Sequence, residues 1–213
     1  IAAIAGHLDA RDPRSGATEA SMFYVAYTQP GAARPLVFFF NGGPGSATVW
    51  LHLGSFAPRR IVTSAPSLAV PQPFQLVDNA ETLVDVADLV FVDAVGTGYS
   101  TAVAPYRNSS FWSVDADAAV MRDFIARYVA VNQRQASPTF VFGESYGTTR
   151  AAVLAELMLA AGMRLDGVVL LSSVLDYNSN CDMFLPATQS CEGNLPSYGM
   201  VGAWFAKTQP VPS

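Results

Sequence analysis

The sequence has little charge, little cysteine and no long hydrophobic run. Charged residues make up 14% of the 213 residues and hydrophobic residues 51%, so the chain can bury a large core and disorder is not expected. Its 12 basic and 17 acidic side chains give a net charge of −5, without a basic footprint for nucleic acid or a polybasic patch for a membrane. No apolar stretch reaches the roughly 18 residues that span a bilayer. These absences favour a soluble, folded protein.

The two cysteines, Cys181 and Cys191, lie ten residues apart in a segment rich in Ser, Asn, Pro and Gly. A local disulfide is the favoured interpretation, and it would indicate an exported protein. Two reduced, buried cysteines are the alternative. A metal site is not expected, because no histidine lies nearby to complete a tetrahedral set of ligands.

The motif Gly-x-Ser-x-Gly at residues 143–147 follows the apolar run Thr139–Phe142 and precedes an alanine-rich helical pattern. A serine at a sharp strand-to-helix turn needs small neighbours, which Gly143 and Gly147 supply. This context predicts that Ser145 is a nucleophile and that the backbone amide of Tyr146 donates to a developing oxyanion. An ordinary turn is the alternative.

A second glycine motif, Asn-Gly-Gly-Pro-Gly at residues 41–45, comes directly after the apolar run Leu36–Phe40. Glycine-rich backbone there can bring an amide close to a substrate, and together with the Tyr146 amide it would form an oxyanion hole with two donors. A phosphate-binding loop is not expected, because the lysine and hydroxyl residue that it requires are absent after Gly45. No cofactor is therefore expected.

Strand-like and helix-like segments alternate along the chain. This order predicts an α/β fold with a mostly parallel central sheet that is covered by helices on both faces. Ser113 is suited to cap the first long helix. The predicted strands are Met22–Tyr27, Leu36–Phe40, Leu89–Val92, Thr139–Phe142 and Gly167–Ser172, and the predicted helices run from Ser113 to about Asn132 and over Tyr146–Ala161.

The two glycine motifs and the segment Asp93–Ser100, in this order, resemble the serine carboxypeptidase family of α/β-hydrolases. The resemblance covers the chain from Gly6 to Trp204, and Trp50–Arg60 is most similar to bacterial members. It implies that residues 1–175 form the N-terminal part of an α/β-hydrolase core, incomplete on its C-terminal side. Residues 176–213 would begin an insertion or lid region that is truncated or cleaved.

The same resemblance implies the roles of individual residues. A carboxylate that recognises another carboxylate needs a shared proton, which would favour acidic conditions. The implied assignments are Ser145 as nucleophile, the amides of Gly43 and Tyr146 as oxyanion hole, and Asn41 and Glu144 as the groups that bind the terminal carboxylate of the substrate.

Two departures from the family pattern stand near these residues. Ser46 stands where many eukaryotic members have a cysteine, and Ser55 stands where they carry a second acidic residue that binds the carboxylate. The second departure weakens the exopeptidase assignment and leaves the serine chemistry unaffected. An alternative role for Glu144 is to orient the elbow, together with Arg150.

No histidine follows Ser145 in the sequence. A serine nucleophile needs a general base, and in this fold the acid and then the histidine come after the serine. His7 and His52 lie upstream, and a structural or solvated role is expected for His52. Asp176 is not expected to be the catalytic acid. The acid and base are instead expected on a second fragment of the same polypeptide.

The combined expectation is a secreted or periplasmic serine-type carboxypeptidase that releases C-terminal residues from peptides through an acyl-enzyme on Ser145. An esterase or acyltransferase of the same fold is an alternative. A non-catalytic binding protein that lacks the base is another. Neither metal nor nucleic-acid binding is expected.

Overall fold

The structure is a computed structural model that describes residues 1–31, 33–63, 72–177 and 192–207. The chain divides into two compact units, Ile1–Ser173 and Val174–Ser213. In the described part of the second unit, one helix, Leu195–Trp204, follows a short 3₁₀ turn at Glu192–Asn194. The two cysteines expected to form a disulfide, Cys181 and Cys191, lie outside the described residues.

The first unit contains nine strands and three α-helices among its described residues, together with a π-helical turn at His52–Phe56 and a 3₁₀ turn at Asn108–Phe111. No helix described in either unit is both long enough and apolar enough to cross a membrane. The strands are β1 Ala2–Arg11, β2 Thr18–Thr28, β3 Leu36–Phe40, β4 Arg59–Ile61, β5 Leu76–Asp78, β6 Asp88–Val92, β7 Thr101–Ala102, β8 Thr139–Glu144 and β9 Gly167–Leu171, and the helices are α1 Val49–Leu51, α2 Val114–Val131 and α3 Tyr146–Ala160.

The main sheet has the strand order β1-β2-β6-β3-β8-β9, and β7 pairs with β2. The pairs β6/β3, β3/β8 and β8/β9 are parallel, whereas β2 pairs antiparallel with β1, β6 and β7. A small antiparallel sheet joins β4 to β5. The predicted α/β class with a mostly parallel sheet is therefore confirmed, and the parallel strands are those that the glycine motifs follow.

Strand β3 lies at the centre of this sheet, and all five of its residues are buried. Phe39 stacks on Phe91 and on Phe142, with ring centroids 4.8 and 4.9 Å apart. On the other face, Phe38 packs against Phe124 and Tyr128 of α2. Each phenylalanine buried in this way contributes roughly 2–3 kcal/mol. The continuous apolar run in the sequence thus reflects a strand that is covered on both faces.

Two hydrophobic clusters cover the two faces of the sheet. The larger contains residues of α2 and α3, and the smaller contains the turn around Leu51 and the segment around Val84 and Ala87. Helix α2 begins where the sequence predicts, because the Ser113 hydroxyl accepts a hydrogen bond from the Ala116 amide (3.3 Å).

Strand β1 has no counterpart in the sequence-based prediction. Its ten residues pair with β2 in an antiparallel hairpin from Ala2↔Thr28 to Arg11↔Thr18. The segment is rich in alanine, contains a glycine and has only one β-branched residue, Ile4, so it has few of the residues that identify a strand. Pairing with the longer β2 supplies what local propensity does not.

A buried carboxylate joins three segments at the amino-terminal end of the parallel strands. Asp88, whose side chain is 2% exposed, accepts Arg34 Nε at 3.0 Å and Arg134 Nη1 at 2.6 Å. The Arg134 guanidinium also donates to the Arg34 carbonyl (2.8 Å). One carboxylate at the start of β6 thereby pairs with two arginines, one just before β3 and one between α2 and β8.

Removing this carboxylate should destabilise the fold. We expect Asp88→Ala to lower the free energy of unfolding by about 3 kcal/mol, because two guanidiniums lose their partner in a poorly hydrated site. Urea unfolding of the intact gene product measures the change. Asp78→Ala, which removes an exposed ion pair with Arg59, should have no measurable effect; equal effects of the two substitutions would contradict this expectation.

Candidate active site

Ser145 lies at a strained turn between β8 and α3. Its backbone angles are φ 57° and ψ −124°, a region that a residue with a side chain rarely adopts. The Ser145 amide donates to the Leu171 carbonyl of β9 (3.0 Å), and the Ser145 carbonyl accepts the Thr148 amide (2.9 Å). Its side chain makes no capping hydrogen bond to α3. This is the elbow that the Gly-x-Ser-x-Gly motif predicts.

Three glycines allow the loop after β3 to approach this elbow. A Cβ on Gly42 would clash with the Tyr146 amide nitrogen and lie 2.6 Å from the Glu144 carbonyl oxygen. A Cβ on Gly143 would clash with the Gly147 carbonyl, and one on Gly147 would lie 2.9 Å from the Phe40 carbonyl oxygen. The contact between the two loops is therefore made by backbone atoms and excludes any side chain.

Gly43 and Ser145 line the same cleft, which has a volume of about 410 Å³. Gly43 has φ +103°, which favours glycine, and the Ser46 amide donates to the Gly42 carbonyl (3.2 Å) to close the turn. Tyr146 is the first residue of α3, so its amide lies at the N-terminal end of the helix. The residues predicted to form an oxyanion hole are thus adjacent to the predicted nucleophile.

The two residues implied in carboxylate binding contact each other. Asn41 Nδ2 donates to Glu144 Oε2 (3.0 Å), and Asn41 Oδ1 accepts the Leu51 amide (3.1 Å). Asn41 is 2% exposed, whereas Glu144 is half-buried. The amide side chain is held at both ends and presents Glu144 to the cleft, which both residues line.

The loop after β3, residues 41–48, is called the glycine loop below. Further residues that line the cleft come from the segment after it. Trp50 is 59% exposed and stands over the cleft, and the Ser55 hydroxyl donates to the Trp50 carbonyl (3.1 Å). Ser55 therefore lies in the cleft without supplying an acidic group. Trp50 was not among the site residues predicted from the sequence. The signal that could have identified it is its position nine residues after Asn41, at the start of a short helix.

Asp93 fastens the glycine loop to the loop after β6. Its carboxylate accepts the Thr48 amide (2.8 Å) and the Tyr99 amide (3.2 Å). Burial raises the pKa of Asp93, and these two amide hydrogen bonds oppose the shift. A Cβ on Gly98 would clash with this carboxylate. The segment Asp93–Ser100 is thus connected by hydrogen bonds to the glycine loop.

The sequence suggested that Arg150 acts with Glu144 to orient the elbow, and the structure places Arg150 in contact with Asp117 and with the backbone of Asn41. It donates from Nε to Asp117 in α2 (2.7 Å) and from Nη1 to the Asn41 carbonyl (2.9 Å). Asp117 also accepts the hydroxyl of Tyr146 (3.1 Å). The orientation of Glu144 comes from Asn41 instead.

The structure places neither histidine at Ser145. His7 is exposed on β1 and its Nε2 contacts the Tyr99 carbonyl (3.0 Å). His52 Nε2 contacts the Tyr27 hydroxyl (2.9 Å), its ring lies 4.7 Å from that of Phe91, and it lines a separate cavity. Burial lowers the pKa of His52 to about 4, so the ring is neutral at physiological pH. His52 has the structural environment expected for it.

No cluster of three or more metal-ligating side chains occurs in the described ranges. The site accordingly consists of a serine, backbone donors and one carboxylate with its amide partner. Such a site is suited to acyl transfer once a general base reaches Ser145.

Comparison with known proteins points to one family. Residues 2–192 match the family model described as serine carboxypeptidase. The chain is 31% identical over 143 residues to serine carboxypeptidase-like 33 of Arabidopsis thaliana, which covers 64% of this chain and 27% of that protein. The expected similarity to bacterial members has no support in these matches.

Solved structures share the fold. A prohormone-processing carboxypeptidase from Saccharomyces cerevisiae superposes with a TM-score of 0.68 at 20% identity, over 96% of this chain and 46% of the yeast chain. A peroxisomal α/β-hydrolase from the same yeast gives a TM-score of 0.50 at 13% identity, over 93% of this chain and 51% of that one. The chain thus spans about half the length of these structures and about a quarter of the plant relative.

The neutral state of His52 should make the stability of the fold depend on pH. An unfolded histidine titrates near 6.5 and folded His52 near 4, so the unfolded chain binds the extra proton between these values. This contribution to stability is complete above pH 6.5 and is lost as the pH falls toward 4, by about 2–3 kcal/mol. We expect the free energy of unfolding, measured with urea from pH 4 to 7, to depend less steeply on pH in His52→Gln than in the wild type. Glutamine is chosen because it keeps a partner for Tyr27.

The matched control is His7→Gln, which removes the other histidine at an exposed position and should retain the wild-type slope. If His52→Gln and the wild type have the same slope, His52 is not the group responsible.

Proposed function

Because this chain belongs to the serine carboxypeptidase family, we propose that it supplies the nucleophile and the substrate-binding groups of a carboxypeptidase. Ser145 would attack the last peptide bond of a substrate and form an acyl-enzyme. The observation that carries the proposal is the single cleft that Ser145, Gly43, Asn41 and Glu144 line together. In it, the reactive hydroxyl lies beside a group suited to a terminal carboxylate.

The acyl transfer would proceed through a tetrahedral intermediate. Attack by Ser145 Oγ on the carbonyl carbon places negative charge on the substrate oxygen, and the amides of Gly43 and Tyr146 would stabilise it. The leaving group is the amine of the C-terminal residue, which must receive a proton. Water then hydrolyses the ester and regenerates the serine.

A general base has to take the proton from Ser145 and return it to the leaving amine. We propose that an aspartate and a histidine on a second fragment of the same polypeptide serve as acid and base. The span of this chain, 46% of the yeast carboxypeptidase structure, supports that proposal. His52 is unsuited, because it contacts Tyr27 and lines another cavity.

Recognition of the substrate would use Glu144 held by Asn41. The terminal carboxylate and Glu144 would share one proton, since two charged carboxylates at hydrogen-bonding distance repel each other. Trp50 at the rim offers an apolar surface to the C-terminal side chain. The absence of an acidic group at Ser55 leaves Glu144 as the carboxyl group among the residues that line this cleft.

An esterase or acyltransferase is the second candidate. The observation that favours it is Ser55, because a cleft with one carboxyl group discriminates less against substrates without a terminal carboxylate. A non-catalytic binding protein is the third, and it requires that no base reaches Ser145.

We propose a secreted or periplasmic location, with a disulfide between Cys181 and Cys191. We also propose that a core comprising residues 1–175 precedes an insertion that starts at residue 176. Peptides would be the substrates, with no metal or organic cofactor.

The assignment of Ser145 can be tested with a fluorophosphonate probe. The intact gene product should be labelled once per chain, and Ser145→Ala should abolish labelling and hydrolysis because no other nucleophile occupies the elbow. Ser172→Ala is a control that should still be labelled.

N-blocked dipeptides with a free C-terminal carboxylate should be cleaved at least about tenfold faster than their C-terminal amides, measured as kcat/KM. Preference for short acyl esters would favour the esterase, and lack of labelling would favour the binding protein.

Glu144 should determine the preference for a free carboxylate. Glu144→Gln should raise KM for the free-acid dipeptide about tenfold and leave cleavage of its amide nearly unchanged, since only the free acid shares the proton. The control Glu156→Gln, on the far part of α3, should match the wild type. A parallel loss on acid and amide would mean that Glu144 orients the elbow only.

A further inference from the structure

Arg150 is a buried charge beneath the elbow. It lies one helical turn after Tyr146 and is 1% exposed, which makes it the largest fully buried side chain among the described residues. Its partner Asp117 comes from α2, at a distance of 2.7 Å. A buried ion pair stabilises a fold no more than well-packed apolar residues of the same volume often would. Stability alone therefore does not explain why a charged pair is buried here.

The Arg150 guanidinium contacts both segments of the chain that carry the proposed oxyanion donors. Arg150 Nη1 donates to the carbonyl of Asn41, two residues before Gly43. The same group lies 5.2 Å from the ring centroids of Phe40 and of Tyr146. One rigid group thereby contacts the end of β3 and the start of α3.

Asp117 completes this arrangement. Its Oδ2 atom accepts both Arg150 Nε and the hydroxyl of Tyr146. The Tyr146 side chain is therefore held at its ring by the guanidinium and at its hydroxyl by the carboxylate. Because the ring is attached to the residue whose amide is the second donor, the ion pair restrains that amide as well.

Arg150 and Asp117 do not line the cleft that contains Ser145. They line a separate cavity of about 360 Å³ on the other side of the glycine loop, together with Gly45 and Trp112. Arg150 therefore has no direct access to the reacting atoms and must act through the groups it holds.

We propose that Arg150 is a positioning residue that holds the Gly43 and Tyr146 amides in register, by bonding to the Asn41 carbonyl and to Asp117 at once. The inference rests on the proposed acyl transfer at Ser145. Oxyanion donors stabilise the transition state more than the substrate, and a displacement of about 1 Å can cost about 100-fold in rate. Lysine would keep the charge but cannot reproduce the two directed bonds of the planar fork.

The test compares Arg150→Lys with Arg134→Lys in the intact gene product. Arg134 makes a similar bond to Asp88 at the opposite end of the sheet, so its replacement matches the chemistry without touching the site. We expect Arg150→Lys to lower kcat about 10- to 100-fold with KM changed less than about threefold, and to weaken binding of a peptidyl boronate by a similar factor. Arg134→Lys should lower Tm and leave kcat and boronate binding unchanged.

Equal kcat and boronate affinity in Arg150→Lys and the wild type, with or without a lower Tm, would overturn the inference and leave the acyl transfer standing. Should Arg150→Lys not fold, Asp117→Asn is judged by the same two measurements, because it keeps an oxygen acceptor for Tyr146 and removes the charge partner. A wild-type protein that does not react with a fluorophosphonate would overturn the proposed function, and this inference with it.

Discussion

The site depends on a close approach between two stretches of backbone, the loop after β3 and the elbow after β8. Gly42, Gly143 and Gly147 have no Cβ, so the backbone at Gly42 lies against the backbone of residues 144–147. An approach this close is possible only because β3 and β8 are parallel neighbours whose carboxyl ends meet at one edge. The strained backbone of Ser145 is maintained because the packed strand before it and the helix after it leave no room to relax.

Asn41, the first residue of the glycine loop, bonds both to Glu144 in the cleft and to Arg150 in the protein interior. Its side chain joins Glu144 to the Leu51 amide, and its carbonyl accepts the Arg150 guanidinium. Asn41 therefore orients the Glu144 carboxyl group in the cleft through its side chain. Through its carbonyl, it also holds the start of the glycine loop against Arg150. Asp93 gives that loop a second attachment through Thr48. A small number of buried polar groups thus holds a loop that has almost no side chains of its own.

The elements that the sequence predicted well are those whose hydrophobic pattern is strong and local. The run Leu36–Phe40 and the capped helix after Ser113 appear within a residue of the expected bounds. Strand β1 was missed, because its alanine-rich segment becomes a strand only through pairing with β2. The ion pair of Arg150 with Asp117 was not predicted for a related reason, since ion-pair partners depend on which elements pack together.

Residue types and their spacing along the chain were sufficient to predict which groups could carry the chemistry. The two glycine motifs and the apolar runs before them predicted a nucleophile, two oxyanion donors and a parallel sheet, and the structure confirms the sheet. The pairing of polar groups across long separations, such as Asn41 with Glu144 or Arg150 with Asp117, is visible in the fold and not in the sequence. The reason is physical: periodicity records which face of an element is buried, whereas a hydrogen bond between distant segments requires the register and packing of whole elements.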